Sequence, residues 1–389
     1  MEPEVEVRRK LLIAARHPYT VVRRFVDSWV KIYTGRSFTP AGDRREVVCE
    51  ATSTDLEQWT KREDNPILRP DAATDQLDSF RDPYVYRDPV TGDFVMLVTT
   101  AQRDGLPRRS GALARARSSD LITWRRDGYF WAPGATFDLE CADLFRIGAW
   151  WYLIFSTAER THYRMSRDPD GPWLIPADDL FDDHWFYAAK TAIVGGDRVL
   201  FGWLADAEPP RDDGSRVWGG SLISRRLSQA DDGSLRIAVA PASPGTEPAG
   251  GHRTMLDATN AFRTAPLAPA NDVAMELPIT VPTHGRFGMM LRTDPALSVG
   301  YRLSLDVGAQ SMSWSVITPR GEVLVAQRPC RLDPGEQTVM QVTVADSVVD
   351  IIVAGSALCA RAFDSRYQGS LVWAENTDLS FGEPRNLDR

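Results

Sequence analysis

Histidine and cysteine are scarce in this chain, and no long apolar run interrupts it. It has five His and four Cys, and no two Cys are spaced as C-x-x-C. Because structural zinc sites are built from such clusters, we expect no metal and no other cofactor. No stretch approaches the roughly 18 consecutive apolar residues of a membrane-spanning helix, so no membrane partner is expected. The thiols, whose wide spacing indicates no disulfide framework, are Cys49, Cys141, Cys330 and Cys359.

An excess of basic residues is also lacking. The chain has 53 acidic and 45 basic residues, and its formal net charge is −8. Since phosphate backbones are bound by basic surfaces, nucleic acid is not an expected partner. The first residues, Met1 to Glu4, show neither the basic start nor the long apolar core of a secretory signal. We therefore expect a reducing, cytoplasmic location.

Aromatic residues, in contrast, are abundant, with 12 Trp, 10 Tyr and 15 Phe. This composition suits an all-β protein, and it also suits a protein that stacks aromatic rings on sugars. The atypical N-terminal segment, residues 1–28, has apolar positions that indicate one amphipathic helix; they are Val7, Leu11, Leu12 and Ala15. From Trp29 onward the pattern becomes that of short strands separated by turns.

One sequence frame recurs in the first half of the chain. Ala51–Trp59 and Ala116–Trp124 share Ala-x-Ser-x-Asp-Leu-x-x-Trp at an offset of 65 positions, and 165–173 is a looser copy. We interpret the frame as a structural turn that ends each repeat. Repeats of this length built of short strands predict propeller blades, three after residue 79 and a partial one before it.

The pattern changes after residue 241. Residues 242–252 are rich in Pro, Gly and Ala and predict a linker. Short alternating runs follow, beginning with 274–279 and 287–291, and these predict a β-sandwich over 253–389. The predicted organisation is therefore a propeller domain over 29–241, a linker and a sandwich domain.

Two acidic motifs occupy matching places in successive repeats. Phe80-Arg81-Asp82-Pro83 and Leu139-Glu140-Cys141 each lead into a short strand that a tight turn returns as a hairpin. A radially repeated fold would bring two such acids to one axis.

These motifs resemble the Arg-Asp-Pro and Glu-Cys signatures of glycoside hydrolase family 32. Further matches are Tyr33-Thr34-Gly35, Phe186-Tyr187-Ala188 and Phe201-Gly202-Trp203. The resemblance implies a five-bladed β-propeller followed by a β-sandwich. It also implies cleavage of fructosyl linkages in substrates such as sucrose, inulin or levan.

The resemblance assigns roles to six residues. Asp82 matches the carboxylate that holds sugar hydroxyls and stabilises the transition state, and Glu140 matches the general acid/base. The positions that line the sugar pocket match Arg81, Cys141, Tyr187 and Trp203. The neighbours agree with these roles. The apolar residues around Glu140 (Phe137, Leu139 and Phe145) predict a raised pKa, and Arg81 predicts an ionised Asp82.

One family feature is not matched. The nucleophilic Asp of the family lies in a first-blade motif that does not occur before Asp82. Asp27 is the nearest acidic residue to a first strand, and its neighbours differ from that motif. We therefore expect the propeller to be N-terminally incomplete, which leaves enzymatic activity open. Without a nucleophile the covalent intermediate of a retaining enzyme cannot form.

Four functions remain open at this point. The first is a β-fructofuranosidase-type hydrolase, with hydrolysis and fructosyl transfer both open. The second is a carbohydrate-binding protein without catalysis, and the third is a truncated inactive copy. A related propeller glycosidase acting on arabinose or xylose is a further alternative. The structural alternatives are a turn cap for Asp82, an ordinary surface position for Glu140 and core packing for Tyr187 and Trp203.

Overall fold

A computed structural model describes residues 20–25, 28–238 and 253–387. Every regular element within these ranges is a β-strand, so the predicted all-β class is confirmed. The predicted helix near residues 7–15 lies outside the described residues, as do Asp27 and the predicted linker. Thr20–Phe25, which belongs to the same atypical segment, is a strand.

Two four-stranded antiparallel sheets come first, and each keeps its strands in chain order. The first sheet consists of β1 (Thr20–Phe25), β2 (Ser28–Phe38), β3 (Arg44–Ser53) and β4 (Thr60–Lys61). The second sheet consists of β5 (Asp75–Arg87), β6 (Phe94–Gln102), β7 (Gly111–Ser118) and β8 (Arg125–Trp131). The repeat that we predicted as partial thus forms a four-stranded sheet, although β4 has only two residues.

The next two sheets continue the same up-and-down connectivity. The third consists of β9 (Glu140–Ile147), β10 (Trp150–Thr157) and β11 (Arg160–Ser166). The fourth consists of β12 (Phe186–Val194), β13 (Asp197–Glu208), β14 (Ser215–Gln229) and β15 (Leu235–Ala238).

Two larger antiparallel sheets follow. The strands of the first, which has seven, are β16 (Thr254–Asp257), β18 (Val273–Thr280), β23 (Gln337–Ala345), β24 (Val348–Val353), β25 (Ser356–Arg361), β27 (Asp378–Phe381) and β28 (Arg385–Asn386). The strands of the second, which has six, are β17 (Phe262–Pro266), β19 (Arg286–Thr293), β20 (Gly300–Asp306), β21 (Ser311–Thr318), β22 (Gly321–Pro329) and β26 (Gly369–Glu375). The Trp314 indole of β21 donates a hydrogen bond to the Arg361 carbonyl of β25, which links the two sheets.

The second sheet is covered on both faces. Side chains alternate along β6, so Met96 and Val98 pack in a cluster with the first sheet. Val95 and Leu97 point the other way and pack in a cluster with the third sheet. Burial on both faces explains why β6 has a continuous apolar sequence, FVMLV, where a half-exposed strand would alternate with polar residues.

The recurring sequence frame forms the same turn in the first two sheets. In the first copy, Asp55 Oδ1 accepts the Glu57 and Gln58 amides at 2.8 and 2.9 Å. The Asp120 carboxylate accepts two amides in the second copy, and these hydrogen bonds lower the pKa of Asp120 to about 2. Each Trp of the frame donates its indole N–H to a Leu carbonyl within the turn. The frame is therefore structural, as predicted.

The chain divides into two compact units. The first extends to Asp179 and adds Ala188–Gly196 from β12. The second comprises Leu180–Tyr187 and the chain from Asp197 onward, including β13 to β28. The predicted boundary at 242–252 falls outside the described residues and stays a prediction.

Candidate active site

Two strands of the first unit each carry a residue in the left-handed backbone region. Asp82 in β5 has a φ of 54° and Cys141 in β9 a φ of 56°. The pairing register shifts beside both residues, between Arg81 and Tyr84 and between the β10 partners of β9. Such bulges turn a side chain out of the regular alternation, and they are frequent beside active sites.

Hydrogen bonds to side chains of preceding strands hold both bulges. The Asp82 amide donates to Thr34 Oγ1 of β2 at 3.0 Å. The Cys141 amide donates to Asp82 Oδ2 at 3.2 Å. The first three sheets are therefore connected through Asp82, whose side chain is fully buried.

The Arg81 guanidinium joins the two predicted catalytic acids. It donates to Glu140 Oε1 from Nε at 3.0 Å and from Nη2 at 2.7 Å. Its Nε also lies 3.9 Å from Asp82 Oδ2. The two carboxylate oxygens are therefore no more than 6.9 Å apart, the sum of 3.9 and 3.0 Å. This separation is within the span of one monosaccharide.

Two further carboxylates, which the sequence analysis did not single out, face the same guanidinium. Asp138 Oδ2 accepts Arg81 Nη2 at 3.1 Å. Glu46 Oε2 lies 3.7 Å from Arg81 Nη1 and accepts the Phe80 amide at 3.1 Å. Burial opposes the charge of Arg81, but Asp82 and Glu140 outweigh it and raise the pKa of Arg81. Asp138 could have been proposed from the sequence, because it lies two residues before Glu140.

Two opposing effects act on the protonation of Asp82. Burial and, to a smaller extent, the nearby Glu140 raise the pKa of Asp82 to about 7, against the lowering effects of Arg81 and Lys190. The prediction of an ionised Asp82 considered the adjacent Arg81 and not the full desolvation of the carboxyl, which opposes ionisation. Asp82 Oδ1 is a buried oxygen for which the described residues supply no hydrogen-bond partner.

The surroundings of Glu140 also differ from those expected. Leu139 and Phe145 are buried as predicted, but Phe137 is 54% exposed and does not enclose the carboxyl. Glu140 lies against the Arg81 cation, which makes two hydrogen bonds to it. Glu140 therefore has a charged partner that the sequence analysis did not consider, and of the three expected apolar neighbours Phe137 is not buried.

Cys141 and Lys190 complete this part of the site. The Cys141 thiol is buried, with Sγ 3.8 Å from Asp82 Oδ2, and burial raises its pKa well above the usual range. The thiol is therefore protonated, and its predicted place in the sugar pocket stays a prediction. Lys190 of β12 was missed by the sequence analysis. Its Nζ donates to the Ala142 carbonyl at 3.1 Å and lies 5.5 Å from the centre of the Tyr84 ring.

The two predicted sugar-stacking aromatics lie in the second unit. Tyr187 and Trp203 have ring centres 5.6 Å apart. Trp218 of β14, which we did not predict, lies 5.3 Å from Trp203 and 6.0 Å from Tyr187. Tyr187 is buried, whereas Trp218 is 64% exposed. The three rings thus form an aromatic cluster that reaches the surface.

No helix that could cross a membrane occurs in the described ranges. The same residues contain no group of three or more His, Cys, Asp or Glu side chains arranged to hold a metal ion.

Several known proteins resemble this chain in sequence. A sucrose-6-phosphate hydrolase of Escherichia coli is 25% identical over 350 residues, which cover 83% of this chain and 68% of that protein. A fructan 1-exohydrolase of Leymus chinensis is 28% identical over 207 residues, which cover 46% of this chain and 34% of that protein. The aligned region thus spans about a third of the plant relative.

Solved structures share the fold. The sucrose-6-phosphate hydrolase of Lactobacillus gasseri superposes with a TM-score of 0.69 at 16% identity, covering 94% of this chain and 77% of that one. An exo-inulinase of Aspergillus awamori gives a TM-score of 0.67 at 16% identity, with 93% and 80% covered. Residues 20–238 match the family model described as the glycosyl hydrolases family 32 N-terminal domain. Because this match spans more than half of the sequence, the chain belongs to glycoside hydrolase family 32.

Proposed function

We propose that this protein is a β-fructofuranosidase-type hydrolase that cleaves fructosyl linkages in saccharides such as sucrose, inulin or levan. The observation that carries the proposal is the placement of Asp82 and Glu140 on one guanidinium, with their oxygens no more than 6.9 Å apart. The names of relatives, which include a sucrose-6-phosphate hydrolase and fructan exohydrolases, support the substrate class.

In the proposed reaction Glu140 donates a proton to the leaving-group oxygen. The bond between this oxygen and the anomeric carbon breaks, and its electron pair stays on the oxygen, which leaves as an alcohol. Positive charge then develops on the fructosyl ring. A water molecule adds to the anomeric carbon and gives up a proton, so that fructose is released and Glu140 regains its proton. We propose that Asp82 stabilises this charge when it is ionised, and that its Oδ1, which has no hydrogen-bond partner among the described residues, accepts a sugar hydroxyl.

The attacking group is the open part of the proposal. No residue matches the family's nucleophile, and Asp27 lies outside the described residues. In a retaining enzyme the two carboxyl groups are about 5 to 5.5 Å apart, and in an inverting enzyme about 6.5 to 9.5 Å. Proton NMR of the first-formed anomer of released fructose distinguishes the two courses.

We propose that the aromatic cluster of Tyr187, Trp203 and Trp218 binds sugar faces. Flat indole and phenol rings stack on the apolar faces of sugars, and the exposed Trp218 offers such a surface. We also propose that the four small sheets are blades of a propeller and that the two larger sheets form the sandwich. The fold likeness to family 32 enzymes supports this arrangement.

A second candidate function is carbohydrate binding without catalysis. The observation that favours it is the double hydrogen bond from Arg81 to Glu140 Oε1, which engages this carboxyl group with the protein, whereas a general acid must present its carboxyl group to the leaving group. In this case the site would hold fructose-containing saccharides and leave them intact.

Glu140→Gln separates the candidates. A hydrolase should release fructose from sucrose, inulin or levan, and the substitution should lower the rate by about 10² to 10⁴ because proton donation is lost. The measurements are fructose release and titration calorimetry with the same saccharides. Glu63→Gln, at an exposed glutamate, is the control.

A binding protein gives a different pattern. It should release no fructose and show saturable heat with both the unmodified protein and Glu140→Gln. The absence of both turnover and heat would contradict the two proposed functions together.

A further inference from the structure

Asp138 lies in the loop before β9 and is anchored at both carboxyl oxygens. Oδ2 accepts Arg81 Nη2 at 3.1 Å, and Oδ1 accepts the Thr157 hydroxyl at 3.1 Å. The loop itself is packed tightly, because a Cβ added at Gly111 would lie 2.7 Å from the Asp138 amide nitrogen. The side chain is only 15% exposed. Asp138 is therefore held in one place beside the proposed catalytic acid.

Arg81 Nη2 is shared between two carboxylates. It donates to Glu140 Oε1 at 2.7 Å and to Asp138 Oδ2 at 3.1 Å, so these two oxygens lie no more than 5.8 Å apart. Other charged and titratable groups also face the pair. On β5 these are Arg81 and Asp82, on β3 Glu46, on β12 Lys190 and on β9 the Cys141 thiol.

We propose that Asp138 is a positioning residue for the proposed hydrolysis. It accepts a hydrogen bond from the same Arg81 guanidinium as Glu140 does, so that the two carboxyl groups share one proton. This inference rests on the proposed function, since the shared proton is the one that Glu140 donates to the leaving group. Asp138 itself touches no reacting atom in this mechanism and acts through Arg81 and Glu140.

The physical argument starts from two like charges and a single cation. Two carboxylates at this separation repel, and one guanidinium charge does not neutralise both, so the pair retains a proton that a lone Arg–Glu pair would release. Burial and the nearby Glu140 together raise the pKa of Asp138 to about 6, against the opposing effect of Arg81. Without the charge of Asp138, Arg81 would have one acidic neighbour fewer, and its charge would act more strongly on the carboxylates that remain, Glu140, Asp82 and Glu46.

The first test is the pH profile of kcat/KM for Asp138→Asn. We expect the basic limb to move about one unit to lower pH, which lowers kcat/KM about tenfold at pH 7 and leaves it nearly unchanged at pH 4.5. Asp170→Asn is the matched control, because Asp170 accepts a hydrogen bond from Arg115 at 3.1 Å away from this site. Asp138→Glu should restore the basic limb. A basic limb that stays in place in Asp138→Asn would overturn the inference.

The second test needs no substrate, so it separates this inference from the proposed function. Thermal unfolding is measured from pH 4 to pH 8 for the unmodified protein, Asp138→Asn, Glu140→Gln and the double variant. A carboxyl group whose pKa is raised on folding stabilises the protein at low pH and loses this contribution as the pH rises through its folded value. The Tm of Asp138→Asn relative to that of the unmodified protein should therefore increase between pH 4 and pH 7.

The double variant tests directly whether the two carboxyl groups share a proton. Glu140→Gln removes one of the two like charges, so the gain from Asp138→Asn should fall to less than half in that background. An equal gain in both backgrounds would overturn the sharing, even in a protein that shows no turnover. If Asp138→Asn does not fold, Asp138→Ser replaces it, since it too removes the charge.

Discussion

The burial of Asp82 lowers the stability of the fold at a residue that we propose for catalysis. Its carboxyl is fully buried, its Oδ2 accepts the Cys141 amide, and Oδ1 has no partner among the described residues. A buried polar atom without a partner costs about 1 to 3 kcal/mol. A sugar hydroxyl bound at Oδ1 would recover part of that cost, because it would supply the missing partner.

The pH dependence of stability follows from this burial. The folded pKa of Asp82 is raised to about 7 from the usual 3.8. The folded state therefore binds this proton more tightly, and the stabilisation present at low pH is lost as the pH rises through 3.8 toward 7. Relative to the unmodified protein, Asp82→Asn should gain up to about 4 kcal/mol of unfolding free energy between pH 4 and pH 8.

Urea unfolding at the two pH values checks this difference. Asp55→Asn serves as a control with the opposite sign, because hydrogen bonds from the Gln58 and Glu57 amides lower the pKa of Asp55. A stability difference between Asp82→Asn and the unmodified protein that does not change with pH would contradict the prediction.

At the scale of elements, a residue in the left-handed backbone region recurs in three sheets, and in β5 and β9 it lies at a bulge. Asp82 in β5, Cys141 in β9 and Ala188 in β12 all have a φ between 54° and 56°. In each case the amide donates to a side chain of the preceding sheet; the acceptors are Thr34 Oγ1, Asp82 Oδ2 and Ser156 Oγ. The three residues are therefore held by neighbours as well as by their own strands.

Thr34→Val tests this support with little change of shape. The Asp82 amide would lose its acceptor, which should lower the unfolding free energy by about 1 to 2 kcal/mol. Because Asp82 would also be held less firmly, the rate of fructose release should fall severalfold. Chemical denaturation and the fructose assay measure the two effects. Thr60→Val, at an exposed position of β4, should change neither.

Much at this scale is readable from sequence. The alternating runs 274–279 and 287–291 fall within β18 and β19. The Ser-x-Asp-Leu-x-x-Trp frame forms the predicted turn because its hydrogen bonds join residues at most three positions apart. The three left-handed residues were not predicted, because their hydrogen bonds join residues 32 to 59 positions apart.

At the scale of the whole molecule, buried charges join distant parts of the second unit. Arg225 of β14 is fully buried, and its Nη1 lies 2.6 Å from Asp182 Oδ2. It also donates to Asp350 of β24, while Asp182 accepts the Cys359 amide of β25 at 3.0 Å. Strands β13 to β15 of the fourth small sheet and the larger seven-stranded sheet thus belong to one compact unit.

Arg225→Met should destabilise this unit strongly. It would leave the buried Asp182 without its cation, and such a loss costs about 3 to 5 kcal/mol. Thermal and urea unfolding measure the change. The control is the neighbouring Arg226→Met, since Arg226 pairs at 3.4 Å with the half-exposed Asp197 and should contribute little. Similar effects of both substitutions would contradict the role of the buried pair.

By itself, the sequence determined the all-β class, the recurring turn and the order of Arg81, Asp82 and Glu140. These features depend on side-chain alternation and on hydrogen bonds between near neighbours, which are visible in a linear pattern. Only the tertiary structure decided the surroundings of the acids. It placed Glu46 and Asp138 on the Arg81 guanidinium and buried Asp82 completely, because burial and charge proximity depend on residues brought together from distant parts of the chain.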